Sequence, residues 1–302
     1  MEKIIINRHL EDKPIEKGEY NNLDTSLKKE ECQNPETLKQ MFSDLNTMIN
    51  EYDKVLVLTS SKKRVKETAK LIVDKFTEEE KKKIQIKEMP EFSEINQGVS
   101  IQPSCYKEGD KIHHLSEAWK IFWEETFQNC DLNEINNIKV NDIELKNPEY
   151  KFGSLTERNE LWMYDKVGES YVDLNYRIYK GVLKLLRLKS RGLKKNNEKK
   201  TGIYIFTHSA IISVFKSLNK IGKDWVELEK PFENLLIDSW KEYIYGYQKR
   251  DKTKGGKKFG HREVLDISYL NNIDKLDNLI KNLNNIIKYI EEKYYGKKAI
   301  QN

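Results

Sequence analysis

Short, wholly apolar runs alternate with amphipathic helical segments at the start of the chain. Strands are predicted at residues 3–7, 55–58 and 84–86, and a helix at 35–52 has apolar residues three or four positions apart. The run at 55–58, Val-Leu-Val-Leu, has no polar position, which is typical of a parallel strand covered on both faces. The order β-α-β-α-β therefore predicts an α/β fold, with a doubly wound, mostly parallel sheet flanked by helices.

This alternation is interrupted between about residues 100 and 164 and resumes afterwards. The interruption contains a predicted helix at 116–127, and we interpret it as a helical insertion, a lid over the edge of the sheet. We assign residues 1–220, insertion included, to the α/β domain and 221–302 to a C-terminal extension with a basic loop. The extension ends in a helix predicted at 273–295, whose apolar face is expected to pack on the main domain or on a second subunit of a homodimer.

The composition of the chain argues against several classes of protein. There is no apolar run of about 18 residues and no signal-peptide pattern, so we expect a cytoplasmic protein with no membrane partner. The net charge is only +5 over 302 residues, so we do not expect nucleic acid as a partner. The three cysteines are far apart and match neither a disulfide framework nor a metal-binding spacing.

Two histidines follow two of the strand-like runs. His9 comes directly after Arg8 at the end of the first run, and His208 comes after the run at 203–206. Ligands of open α/β sheets bind in the crevice beyond the carboxyl ends of the strands. If the two strands are neighbours, both imidazoles and the guanidinium of Arg8 converge in that crevice. Such a cluster suits a phosphoryl group, with one histidine as the nucleophile.

Five short segments now form a pattern along the chain. They are strand-Arg8-His9, Thr59-Ser60-Ser61-Lys62-Lys63-Arg64, Glu94-Ile95-Asn96-Gln97-Gly98, Gly168-Glu169-Ser170 with Asp173 and Arg177, and strand-Thr207-His208-Ser209. In this order, each at a junction between elements, they resemble the histidine phosphatase superfamily, which has the phosphoglycerate-mutase-like fold. The resemblance covers roughly residues 3–218.

The resemblance implies a phosphomonoester hydrolase that acts through a phosphohistidine on a small phosphorylated metabolite, with no metal and no cofactor. His9 would be the nucleophile, Glu94 would protonate the leaving oxygen, and His208 would complete the catalytic set. Four residues would bind the phosphoryl oxygens, namely Arg8, Arg64, His208 and Ser61, the last at the start of a helix whose N–H groups suit an anion.

The chain departs from the family pattern beside both histidines. Glycine usually follows each of them, and here the residues are Leu10 and Ser209. A side chain at Leu10 can crowd the phosphate loop or narrow the pocket. A second acidic residue, Glu91, lies three positions before Glu94 and is an alternative proton donor.

Two other functions stay open at this point. One is a catalytically impaired relative, a binding or scaffold protein whose basic loops and C-terminal helix contact an acidic partner or RNA. The other is a phosphoglycerate-type mutase, which is favoured least because the paired arginines that mutases use for a second anionic group are not found in the sequence. The substrate cannot be read from the sequence, since its selectivity would depend on the insertion and the C-terminal segment.

Overall fold

The computed structural model describes the chain over ten ranges. These are residues 3–13, 25–94, 105–108, 111–114, 171–194, 200–221, 234–236, 238–239, 241–242 and 262–295. The strands are β1 (Lys3–Arg8), β2 (Lys54–Thr59), β3 (Ile84–Glu88), β4 (Cys105–Glu108), β5 (Lys111–His114), β6 (Thr201–Thr207) and β7 (Arg262–Asp266). The α-helices with defined bounds are α1 (Pro35–Glu51), α2 (Lys63–Val73), α3 (Glu78–Lys81), α4 (Tyr171–Lys194), α5 (Ser209–Ile221) and α6 (Ile273–Tyr295). Single-turn 3-10 helices lie at Glu30–Cys32, Pro90–Phe92 and Ser268–Asn271.

Five of the described strands form one mixed sheet in the order β3-β2-β6-β1-β7. The strands β3, β2, β6 and β1 run parallel to their neighbours, and β7 pairs antiparallel with β1 at the edge. The register places Arg8 opposite Thr207 and Phe206 opposite Thr59, so three strands end at the same level. The predicted α/β fold with a mostly parallel sheet is confirmed.

Both faces of the sheet are covered, and successive residues of β1 face different cores. Ile5 packs in the cluster beneath α1 and α2, whereas Ile4 and Ile6 pack in the cluster beneath α4, α5 and α6. The central strand β6 alternates in the same way, with Tyr204 on the first face and Ile203 on the second. This alternation of side chains in wholly apolar strands is what allows helices to pack on both faces.

Local signals explain where α1 starts and which face it buries. The side chain of Asn34 accepts a hydrogen bond from the backbone N–H of Thr37 (3.1 Å), and Pro35 occupies the first turn, where no N–H partner is needed. The helix then buries a stripe with helical spacing: Met41, Leu45, Met48 and Ile49.

The edge strand β7 was not predicted, because its sequence follows a basic stretch that we interpreted as a loop. It pairs with β1 so that Val264 lies opposite Ile5. Its Arg262 forms a bidentate ion pair with the buried Asp44 of α1 (2.7 and 2.9 Å). The part of the C-terminal region that the structure describes therefore contributes a strand to the main sheet.

The helix α6 has the bounds that the sequence predicts and lies against α4 of the same chain. Its buried residues follow one stripe: Leu276, Leu279, Leu283, Ile287 and Ile290. Polar contacts flank the stripe, where Ser190 donates to Asp277 (3.1 Å) and the Tyr176 hydroxyl donates to Glu291 (2.5 Å). Burial and the Glu291 carboxylate raise the pKa of Tyr176, so this hydroxyl stays a donor.

The predicted insertion at 100–164 is described only at β4 and β5. These strands form an antiparallel hairpin in which Cys105 lies opposite His114, so this part is extended and not helical. The helix predicted at 116–127 lies outside the described residues. None of the helices in the described ranges is both long enough and apolar enough to cross a membrane.

Candidate active site

The ends of β1 and β6 bring the two histidines together. These strands are parallel neighbours, and the backbone N–H of His9 donates to the carbonyl of Thr207 (2.9 Å), so the residues that follow both strands lie side by side. The ring centroids of His9 and His208 are 5.1 Å apart with an edge-to-face tilt of 63°. Both rings are buried. The convergence expected from the sequence is therefore present.

The hydrogen bonds of His9 fix its tautomer. Its Nδ1 lies 2.5 Å from the carbonyl oxygen of Leu10, and a carbonyl can only accept, so Nδ1 carries the proton. The other nitrogen, Nε2, then has a lone pair, which faces the Nε–H of Arg64 at 3.2 Å. A ring held in this state presents an unprotonated nitrogen, which is what a nucleophilic histidine needs.

The first turn of α2 brings Arg64 onto His9. The Thr68 hydroxyl donates to the Arg64 carbonyl (2.8 Å) and accepts from the Leu10 N–H (3.1 Å), which ties the helix to the loop after β1. The Arg64 Nε is also 3.7 Å from the carboxylate of Asp12. The Arg64 side chain is only 12% exposed, so its position is set by the fold and not by solvent.

His208 is buried more deeply than His9 and lies between two oxygen atoms. Its Nε2 is 2.9 Å from the hydroxyl of Ser60, and its Nδ1 is 3.5 Å from a carboxylate oxygen of Glu94. Within the described residues Nδ1 has no hydrogen-bond partner. Burial, together with the proximity of His9 and the charges of Arg64, Arg8 and Lys62, holds the pKa of His208 well below its usual value, so the ring is neutral near pH 7.

Three basic side chains lie near His208. The charges of Arg64, Arg8 and Lys62 all act on the pKa of His208, so all three are close to this ring. Among the described residues, none forms a hydrogen bond or an ion pair with the side chain of Arg8 or Lys62. Their donors are therefore available to an anion. An anion bound among them would reverse the electrostatic effect that now keeps His208 neutral.

Ser61 lies at the pocket but does not cap α2. The helix begins at Lys63, and the residue at its cap position, Lys62, accepts no N–H with its side chain. Ser61 is instead engaged with Ser93, hydroxyl to hydroxyl at 2.7 Å, and its N–H donates to the same hydroxyl (3.3 Å). The expected helix N-terminus therefore faces the site without a side-chain cap.

The two candidate acids have different surroundings. Glu94 lies beside His208, as given above, whereas Glu91 forms an ion pair with Lys184 on α4. Burial alone would raise the pKa of Glu91, but the hydrogen bond and charge of Lys184 and the charge of Arg177 outweigh burial and lower it. Glu91 is thus an ionised carboxylate paired with Lys184, and Glu94 is the one of the two that lies beside a histidine.

The two residues that stand where the family pattern has glycine, Leu10 and Ser209, are both buried. Leu10 is 3% exposed and packs in the core beneath α1 and α2. Ser209 is also buried and is the first residue of α5.

Sequence reasoning missed several residues that the structure brings to the site. They are Asp12, Ser60, Lys62 and Ser93. Ser60 and Lys62 lie inside the quoted segment 59–64, so attention to each polar position of that segment would have found them. The contact of Ser93 with Ser61 depends on tertiary structure, and nothing in the sequence indicates it. In the described part of the chain, no cluster of His, Cys, Asp and Glu is arranged to hold a metal ion.

The sequence matches no model of a protein family and no curated protein. Among solved structures, the chain is similar to a mycobacterial hydrolase at 14% identity and a TM-score of 0.41, over 80% of this chain and 76% of that one. It is similar to a mycobacterial glucosyl-3-phosphoglycerate phosphatase at 14% identity and a TM-score of 0.39, over 80% and 84% of the two chains. For the α-ribazole phosphatase of Shigella flexneri the values are 13%, 0.32, 77% and 83%.

Proposed function

We propose that the protein is a phosphomonoester hydrolase of the histidine phosphatase superfamily, which its sequence resembles, and that it acts through a phosphohistidine on His9. The observation that carries the proposal is the fixed tautomer of His9. Its Nδ1–H is bound to the Leu10 carbonyl, and its unprotonated Nε2 faces the guanidinium of Arg64 at 3.2 Å. The unprotonated Nε2 therefore lies beside a cation that can bind phosphoryl oxygens, so a phosphoryl group held by Arg64 would lie close to the nitrogen that attacks it.

The charge of the pocket supports a phosphoryl group as the reacting group. A phosphate monoester carries close to two negative charges near neutral pH. Arg8, Lys62 and Arg64 supply three positive charges around the two rings. The planar fork of an arginine matches two phosphoryl oxygens at once, and the uncapped start of α2 adds backbone N–H groups. Phosphoryl transfer depends mainly on such positioning and charge stabilisation.

The reaction then proceeds in two balanced steps. The His9 Nε2 attacks phosphorus while the bond from phosphorus to the leaving oxygen breaks, and the carboxyl of Glu94 gives that oxygen its proton. In the second step the Glu94 carboxylate takes a proton from water, the water oxygen bonds to phosphorus, and the N–P bond breaks. His9 keeps its Nδ1 proton throughout, because the Leu10 carbonyl holds it.

His208 has a supporting role in this scheme. Without an anion beside it the ring is neutral, and a dianion bound among the cations favours its protonated form. Its Nδ1, which has no partner among the described residues, then becomes a donor to a phosphoryl oxygen. This role fits a binding and charge-stabilising residue better than a nucleophile. Leu10, one of the sequence features that favour an impaired relative, is accommodated in the core beneath α1 and α2.

Trapping the intermediate tests the proposal. The protein is mixed with radiolabelled aryl phosphate, quenched with base because phosphohistidine is labile to acid, and digested for peptide mapping. We expect label on the peptide that contains His9 in the native chain and in His208→Gln, and no label in His9→Asn. Label on His208, or turnover that persists in His9→Asn, would overturn the assignment.

A further inference from the structure

We propose that Arg177 is a positioning residue for the reaction, which holds the carboxyl group of Glu94 beside His208. The inference rests on the proposed function, since it takes Glu94 as the proton donor. Glu94 belongs to a short segment after β3, residues 89–94, which we call the carboxylate loop. Arg177 lies on α4, 83 residues after Glu94 in sequence.

The guanidinium of Arg177 binds the backbone of the carboxylate loop. One terminal nitrogen donates to the carbonyl oxygens of Pro90 (3.3 Å), Glu91 (2.8 Å) and Ser93 (2.9 Å). The other nitrogen donates to the carbonyl of Glu94 itself (3.4 Å). One planar cation thus binds four of the six backbone carbonyls of the carboxylate loop, and the last of these carbonyls belongs to the proposed acid.

Two further contacts hold the other side of the loop. Thr207, the last residue of β6, directly precedes His208, and its hydroxyl donates to the carbonyl of Phe92 (2.5 Å). The hydroxyl pair of Ser61 and Ser93 joins the loop to the segment before α2. The loop is therefore held between the strand that supplies one histidine and the helix that supplies Arg64.

Packing beneath the loop explains how α4 comes close enough for Arg177 to reach it. Phe92 is fully buried and meets Phe215 edge to face, with centroids 5.5 Å apart. Gly181, one turn after Arg177, leaves room for the loop, since a Cβ there would be 2.7 Å from a ring carbon of Phe92 and 2.9 Å from the Cβ of Glu91. A glycine inside a helix costs stability, and here it permits this close approach.

If Glu94 is the proton donor, the fixed loop keeps its carboxyl group in position for proton transfer. A carboxyl transfers its proton only when it lies within hydrogen-bond reach of the leaving oxygen, and small displacements of reacting groups are costly. A poor leaving group such as the alkoxide of an alkyl phosphate needs this proton. The nitrophenolate of para-nitrophenyl phosphate leaves without much help. Displacing the acid should therefore harm the two substrates unequally.

The experiment compares kcat/KM for glycerol phosphate and para-nitrophenyl phosphate in four variants of the full chain. Arg177→Gln should lower kcat/KM for glycerol phosphate by about 10-fold or more, and affect para-nitrophenyl phosphate much less. Arg177→Lys should also lower kcat/KM more for glycerol phosphate than for para-nitrophenyl phosphate, but by a smaller factor than Arg177→Gln, because an ammonium keeps the charge and lacks the planar fork. Glu94→Gln should show this selective loss in full, because it removes the proton donor itself. The matched control is Arg187→Gln, an exposed arginine of the same helix that contacts Asn284 of α6, and it should change neither value.

The possible results distinguish the positioning role of Arg177 from the proton-donor role of Glu94. Equal losses on both substrates in the Arg177 variants, with a selective loss in Glu94→Gln, would show that Arg177 merely supports the fold and would overturn the positioning role. Absence of selectivity in Glu94→Gln would instead remove the proposed acid, and with it the reason for positioning. If Arg177→Gln does not fold, as judged by circular dichroism, Arg177→Lys decides the question.

Discussion

The two histidines of the site are only 5.1 Å apart at their ring centroids, yet their surroundings prepare them for different tasks. His9 has partners on both ring nitrogens, a carbonyl that fixes the proton and a guanidinium that faces the lone pair. His208 is more deeply buried, has a lowered pKa, and has an Nδ1 without a hydrogen-bond partner in the described residues. In the proposed mechanism the same side chain is therefore a nucleophile at the end of one strand and a residue that can become a cation at the end of the next, because the neighbouring donors, acceptors and charges differ.

The largest effect should come from removing the nucleophile. In His9→Asn the amide N–H still has the Leu10 carbonyl as an acceptor, but no ring nitrogen is left to attack phosphorus. We expect kcat to fall by at least about 10³-fold. Steady-state hydrolysis of para-nitrophenyl phosphate measures this loss. A fall of less than tenfold would mean that the two histidines do not differ in the way described.

Replacing the second histidine should cost less. His208→Gln keeps a side chain that donates an N–H but cannot become a cation, so the transferring oxygens lose charge stabilisation and not the nucleophile. We expect kcat/KM to fall by about 10²-fold while the phosphorylated intermediate still forms on His9. Quenched-flow trapping in this variant checks the expectation. Loss of the intermediate would make the two rings equivalent.

The lowered pKa of His208 predicts how stability responds to pH. Its usual pKa near 6.5 applies to the unfolded chain, which therefore binds a proton that the folded chain resists as the pH falls below that value. The folded state should lose up to about 1.4 kcal/mol of stability per pH unit from this group, in addition to the effect of the carboxylates.

Thermal melts between about pH 8 and pH 5.5 measure this effect, with His208→Gln as the reference for all other groups. The native chain should show the steeper decline, and inorganic phosphate should reduce the difference because an anion stabilises the protonated ring. Parallel curves for the two chains would argue that the ring is not held neutral.

The smallest effect on catalysis should come from Leu10, the residue after His9. Because its side chain is in the core, Leu10→Ala should cost about 2–5 kcal/mol of stability and leave KM nearly unchanged. Urea unfolding and steady-state kinetics check the two parts. The matched control, the half-exposed Leu188→Ala, should change stability by no more than about 0.5 kcal/mol. An improved KM in Leu10→Ala would show that the side chain does narrow the pocket.

The sequence was most informative where chemistry and local pattern coincide. The two apolar strands carry their histidines at the carboxyl ends, and parallel pairing then leaves only one place where His9 and His208 can meet. Arg64 could be predicted for a similar reason, since it lies in the first turn of the helix that follows β2. In each case the periodicity of a few neighbouring residues determines the position of the side chain.

The sequence was less informative where a role depends on a distant partner. Glu91 and Glu94 are three residues apart and look equivalent in one dimension, and only the ion pair with Lys184 on α4 distinguishes them. The side chain of Leu10 could point to the pocket or to the core, and the packing of α2 decides. The strand at Arg262–Asp266 gains its stability from pairing with β1, which a basic local sequence does not indicate.

The pairing of β1 has a consequence for how the chain is made. The strand that leads to His9 contains Ile4, Ile5 and Ile6, three apolar β-branched residues in succession, and it is synthesised before the strands that pair with it. Its two neighbours in the sheet, β6 and β7, are synthesised only much later. During that interval both edges of this apolar strand lack their hydrogen-bonding partners, and unpaired apolar strands promote aggregation. The strand that positions the proposed nucleophile must therefore be protected from intermolecular pairing until β6 and β7 have been synthesised.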